Sequence, residues 1–278
     1  MEPLSLLVLL VMGVVAGAIN AAVGSGSLLT LPVLMALGLP PGVAVRTNTV
    51  GMFFSTVGSV LGYRREIAEE RRHLTPLVLT ALLGASAGAL LLLTSPAEAL
   101  DVVVPVLIVV ALALVVLQKP LTTALRSRSE KRAERCAAAD GAGAEGATAA
   151  DGSERSPLRS PALVGSIGAA SVYGGYFTAA QGVLYLGILG VFTGRSMGSV
   201  NSVKNLLSLC VNLAAALIYV IAFFVVDAQV VWAASAAIAV GSLLGGFFGA
   251  HLAKRLPEWA LRGVIVVVAL VALFREVV

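Results

Sequence analysis

The feature that most constrains this chain is a series of long apolar stretches broken by short glycine-rich and polar segments. Runs of about 18 residues or more suit helices that cross ~30 Å of hydrocarbon at 1.5 Å per residue. Lipid offers no partner for backbone N–H and C=O groups, so a spanning segment must satisfy them internally. The runs lack the strict alternation and ten-residue period of a membrane β-barrel, which leaves helix. Composition agrees: 58% of the 278 residues are hydrophobic and 12% charged, against roughly 25% charged in soluble domains. The expected class is an all-α polytopic membrane protein, with the lipid bilayer as its first partner.

A net charge of +4 raises the question of nucleic acid, and the placement of the charges answers it. Eight of the nineteen Lys and Arg residues lie between Lys119 and Arg159, and four more between Arg64 and Arg72. Clusters beside apolar spans fit cytoplasmic loops, so no nucleic-acid partner is expected. Cys136 falls in a basic linker and Cys210 in a span, so no disulfide is expected. The N-terminal segment has no positive region ahead of its apolar run, so that run reads as a first membrane helix rather than a cleaved leader.

Ten apolar segments emerge. In the first half, a covers residues 4–22, b 28–37, c 43–63, d 74–93 and e 100–117; in the second, a′ covers 162–178, b′ 183–192, c′ 200–226, d′ 230–252 and e′ 259–274. Between them, residues 118–161 form a linker whose centre is rich in Ala, Gly, Asp and Ser and has no apolar periodicity. The division is therefore a membrane repeat at 1–117, a cytoplasmic low-complexity linker at 118–161 and a second membrane repeat at 162–278. The halves match residue for residue in places. Gly26 pairs with Gly182 and Tyr63 with Tyr219 at an offset of 156, and Gly84 and Gly88 pair with Gly241 and Gly245 at 157. Duplicated halves are characteristic of secondary transporters.

Charge bears on their relative direction. Arg64, Arg65, Arg71 and Arg72 mark loop c–d as cytoplasmic, whereas loop d–e carries no Lys or Arg. In the second half the bias reverses, with Lys254 and Arg255 in loop d′–e′, Arg195 in loop b′–c′ and none in loop c′–d′. Holding positive charge inside makes the repeats inverted, with both termini outside. The expected architecture is two inverted-topology repeats of about eight full-length helices plus two short ones that follow glycine-rich breaks. Each a–b pair then contributes an even number of crossings, by crossing twice or by a hairpin that enters and returns.

The breaks are where chemistry is expected. Gly24, Ser25, Gly26 and Ser27 interrupt an apolar region, and Gln181 and Gly182 do so in the second half. A break at membrane depth is tolerated only against protein or a water-filled cavity. The short helix after each break aims its N-terminal N–H groups and positive dipole end at it, which favours an anion. The heads of c and c′ add Thr47 and Asn48, then Asn201, Lys204 and Asn205. Lys204, Ser208 and Asn212 recur every four residues and form a polar stripe that reads as a cavity lining. For Lys204 and Arg46, snorkelling to headgroups is the competing explanation. Gly-Ser-Gly-Ser is too short for a nucleotide loop, and no Lys follows at the required spacing. The glycines at 84, 88, 241, 245 and 249 read as close-packing faces.

No Asp or Glu lies mid-span, His73 and His251 flank loops, and no metal-ligand spacing or nucleophile–base set is evident. Neither a metal nor a cofactor is expected. An intramembrane enzyme is disfavoured on that ground, and a scaffold using the basic linker has no use for duplicated polar breaks. A proton relay through carboxylates is not expected, so coupling would ride on the substrate's own protonation or on the membrane potential.

These motifs resemble those of the sulfite exporter TauE/SafE family of bacterial membrane permeases. The carriers are the break leading to Pro32, then Gly38-Leu39-Pro40-Pro41, Ala44-x-x-Thr47-Asn48, Gly84-x-x-x-Gly88, and the run from Gly241 to Arg255. The resemblance implies transport of sulfur-containing or related organic anions across the cytoplasmic membrane. Ser25 and Ser27 stand where members commonly carry a run of three glycines, and Gln181 stands in the second copy. The expected function is a permease for a small anion such as sulfite or a sulfonate. Direction and homo-oligomerisation are left open.

Overall fold

The computed structural model describes residues 2–70, 74–117, 160–193 and 197–252. Segment e′, most of the linker, and Arg71, Arg72, Arg195, Lys254 and Arg255 lie outside the described residues. The remainder is helical: α1 (Pro3–Ala22), α2 (Ser27–Ala36), α3 (Pro41–Gly62), α4 (Arg64–Glu70), α5 (Thr75–Thr94), α6 (Ala97–Leu117), α7 (Pro161–Phe177), α8 (Gln181–Thr193), α9 (Met197–Val226) and α10 (Trp232–Leu252). Five of these, α1, α5, α6, α9 and α10, contain apolar stretches long enough to cross a membrane. The short helix α4 occupies a stretch that hydropathy alone reads as loop.

Local chemistry sets the ends. Proline opens α1, α3, α5 and α7 within the first two positions, where its missing N–H would have had no helical partner. α2 stops at Gly38, whose φ is +86°; its N–H bonds the Met35 carbonyl at 2.8 Å and the Leu39 N–H bonds Leu34 at 3.2 Å. That is a Schellman stop, which needs a left-handed residue without a Cβ. The 10 residues of α2 extend only about 15 Å, half the hydrocarbon thickness. The return limb therefore does not cross by itself, which favours the entering-and-returning hairpin.

Small residues let the long helices touch. A Cβ built on Gly245 would lie 1.9 Å from the Val14 carbonyl oxygen, and one on Gly88 would lie 2.0 Å from that of Val172. Gly241 meets Leu10 and Gly249 meets Ala18, so α1 and α10 run side by side in the same direction. Gly84 and Gly88 bring α5 onto α7 in the same way. Without a hydrophobic drive between helices in lipid, this close backbone approach is the main source of association. Large apolar side chains such as Leu83, Phe224 and Val225 instead point outward, as a lipid-facing surface requires.

The long helices pack alike in the two halves. α10 packs on α1 and α3, and its counterpart α5 packs on α7 and α9, with α3 against α9 at the centre. Those two central helices run antiparallel. Asn201, near the start of α9, donates to the Tyr63 hydroxyl just past the end of α3 at 2.8 Å. Arg46, near the start of α3, donates to the Gln229 carbonyl just past the end of α9 at 3.1 Å.

Candidate functional site

The two breaks meet. Gly24 has φ +83°, and its carbonyl accepts the Gly182 N–H at 3.2 Å. A Cβ on either glycine would lie 2.4 Å from the Cα of the other. Two backbones cross here at a separation that side chains forbid, which accounts for glycine at both matched positions. The second break also holds Thr178 and Ala180, buried and non-glycine, at φ 35° and 59°. Left-handed backbone at such residues persists only where the surroundings hold it. The Tyr173 hydroxyl supplies one such restraint, donating to the Ala179 carbonyl at 3.0 Å.

Breaking α1 after Ala22 leaves its last carbonyls without helical partners, and α9 supplies them. The Lys204 ammonium donates to the carbonyls of Asn20 at 3.0 Å and Ala21 at 3.1 Å. Asn201 and Asn205 each donate to the Ala21 carbonyl at 3.3 Å. Lys204 is 0% exposed, so it does not snorkel. Its charge faces the negative end of the α1 dipole, and no carboxylate among the described residues pairs with it. An ammonium carries three N–H donors, so one is left over.

The head of α3 divides its polar side chains among three neighbours. The Thr47 hydroxyl accepts the Val231 N–H at 3.1 Å and its carbonyl accepts from Ser235 at 2.8 Å, which ties α3 to α10 away from the breaks. Asn48 accepts from Thr30 of α2, leaving its Nδ2 unpartnered. Thr49 lies 3.3 Å from the Thr178 hydroxyl in the second break. Ser25 and Ser27 are buried in the first break, and Gln181 is buried in the second. Among the described residues, the unpartnered buried side-chain polar atoms are Ser25 Oγ, Asn48 Nδ2, Gln181 Oε1, Asn201 Oδ1, Ser208 Oγ and Asn212 Oδ1. All six lie in the breaks, on the head of α3 or along the α9 stripe. Buried polar atoms are rarely left so. Thr30, Thr49 and Thr178 were not singled out from sequence, since a threonine in an apolar helix ordinarily bonds its own backbone.

The sequence profile of the family described as "Sulfite exporter TauE/SafE" matches residues 9–275. The chain belongs to the sulfite exporter TauE/SafE family. Among relatives of this TauE/SafE member is the "Probable membrane transporter protein YfcA" of Escherichia coli K12. It is 26% identical over 271 residues, covering 97% of this chain and 88% of that protein. The "Probable membrane transporter protein ORF9" of a Sinorhizobium species is 30% identical over 101 residues, 36% of this chain and 39% of that protein. No solved structure matches. With these relatives and its spanning helices, this family member is a multi-pass membrane transporter.

Proposed function

We propose that the chain carries a small anion, sulfite or a sulfonate being the first choice, through the region where the two breaks meet. The carrying observation is the Gly24–Gly182 contact beside a buried Lys204 that pairs with no carboxylate among the described residues. A dehydrated cation with a spare donor gains when an anion enters, since each offsets the other's desolvation. The short helices α2 and α8 start at the same place, so the positive ends of both dipoles lie beside the crossing, although the Leu28 and Leu29 N–H groups of α2 already bond the Ser25 and Gly26 carbonyls. Ser25, Ser27, Asn48, Gln181, Asn201 and Asn205 would replace the rest of the hydration shell; Thr47 would contribute by fixing α3 against α10. The family name supplies sulfite as the first substrate to test. Initial rates in proteoliposomes should show uptake or efflux of sulfite or a short sulfonate, and little flux of a cation of similar size. Flux indifferent to substrate charge would overturn the anion assignment.

We also propose that the two halves are inverted-topology repeats flanking a cytoplasmic linker (118–161), with both termini outside. The antiparallel course of α3 and α9 supports this, as does the neighbourhood of Arg64, Arg65 and His251 at one end of the bundle. Single cysteines placed at either terminus should react with an impermeant thiol reagent added from outside, and one at Arg65 should not. Labelling with the opposite sidedness would sink the inverted arrangement.

A further inference from the structure

α3 and α10 share a second feature, among their exposed apolar side chains. Val50 and Phe54 of α3 and Trp232, Ala239 and Leu243 of α10 line an apolar groove of about 360 Å³. Where α3 runs into α4, a polar recess of about 360 Å³ is lined by Leu61, Arg64, Arg65, Glu66, Phe247 and His251. Groove and recess lie on one seam. Phe54 and Leu61 are two helical turns apart on α3, and Leu243, Phe247 and His251 follow at steps of four on α10, so both sets share a helix face.

The recess holds two guanidinium groups against one carboxylate, and Arg64 and Arg65 are exposed, with no ion pair among the described residues. His251 Nδ1 donates to the Phe247 carbonyl at 3.0 Å, because a carbonyl only accepts. The exposed rings and chains of Leu61 and Phe247 carry the apolar wall up to these charges. From Leu61 down to Val50 is about 16 Å along α3, close to the depth of one leaflet.

We propose that this seam binds one anionic phospholipid, its phosphate held by Arg64 and Arg65 and an acyl chain laid in the groove beside Val50 and Leu243. Planar guanidinium groups take phosphate oxygens in pairs. An apolar groove directly beneath them distinguishes a lipid from free phosphate.

Native mass spectrometry of the full chain, released from micelles with equal phosphatidylglycerol and phosphatidylcholine, tests this. The wild type should retain phosphatidylglycerol about tenfold over phosphatidylcholine, in line with two juxtamembrane cations. Arg64→Ala/Arg65→Ala should abolish the preference, and Arg64→Lys/Arg65→Lys should keep part of it. Ala239→Trp, which fills the groove without touching the charges, should reduce retention of either lipid. Equal retention by wild type and the double alanine variant would overturn the proposal. So would stripping of the lipid by millimolar inorganic phosphate with Ala239→Trp silent, which marks a free-phosphate site. A dimer mass lost on Ala239→Trp would assign the groove to a second copy and overturn it as well.

Discussion

Lys204→Ala is expected to lower the initial transport rate by more than about tenfold, a loss of ~1.4 kcal/mol or more of transition-state stabilisation. The protein should still insert. The ammonium has two jobs in the structure. It closes the carbonyls of Asn20 and Ala21 that the break in α1 exposes, and it is the buried positive charge nearest the crossing of the breaks. The first job is partly redundant, because Asn201 and Asn205 also donate to Ala21. Only the Asn20 carbonyl loses its bond to Lys204 outright, at a cost of about 1–3 kcal/mol. The second job has no substitute among the described residues. Lys204→Met keeps most of the side-chain volume and removes the charge, so it should match alanine in rate while costing less stability. Lys204→Arg should recover only part of the rate, since a planar fork does not fit the space of a compact ammonium. Arg46→Ala should cost less than either, because Arg46 is half-buried and holds a loop carbonyl rather than a break. Rates normalised to inserted protein, with thermal unfolding followed in parallel, separate the two jobs. A Lys204→Met rate within about twofold of wild type would reduce the residue to a cap on α1 and move the anion site to the backbone.

The helix boundaries were legible because membrane helices begin and end on strong local signals. Segments a, b and c fall within two residues of α1, α2 and α3, where Pro3, Gly24, Gly38 and Pro41 punctuate the apolar runs. The packing glycines were legible for the same reason: a small residue every four positions in an apolar helix has little other use. The partners of the polar residues were not. Thr47, Asn48 and Thr49 are consecutive, and steps of about 100° around a helix send them to α10, α2 and the second break respectively. No periodicity foretells that division. Lys204 could be read as a cation in a polar stripe, but its partners are carbonyls 183 and 184 residues away, and a backbone oxygen leaves no mark in sequence. α4 was missed because its seven residues, five of them charged, carry too little apolar pattern to register as helix.

Gly24→Ala is expected to abolish transport, and Gly38→Ala to leave it almost unchanged, although both glycines have nearly the same backbone conformation. Their φ values are +83° and +86°. In either place alanine meets the same left-handed strain, about 1–2 kcal/mol. What differs is the surroundings. A Cβ at Gly38 meets nothing within 4 Å, whereas at Gly24 it would lie 2.4 Å from the Gly182 Cα and 3.2 Å from the Lys204 side chain. Backbone cannot swing aside as a flexible side chain does, so the two breaks would have to part, adding overpacking strain of ~1–3 kcal/mol. Parting them also stretches the Gly182 N–H bond to the Gly24 carbonyl and moves the start of α8 away from Lys204. Gly182→Ala should reproduce the defect from the other side without any left-handed strain, since Gly182 sits in the first turn of α8 and its clash with Gly24 is the same 2.4 Å. Pairing the two substitutions should give no rescue. The measurement is initial flux in proteoliposomes beside thermal unfolding for the three single variants and the pair. The crossing of the breaks is the transport route only if Gly24→Ala and Gly182→Ala lose flux together while Gly38→Ala loses stability alone. Flux in Gly24→Ala that falls only in proportion to its loss of stability would make the crossing a packing contact and place the route elsewhere in the bundle.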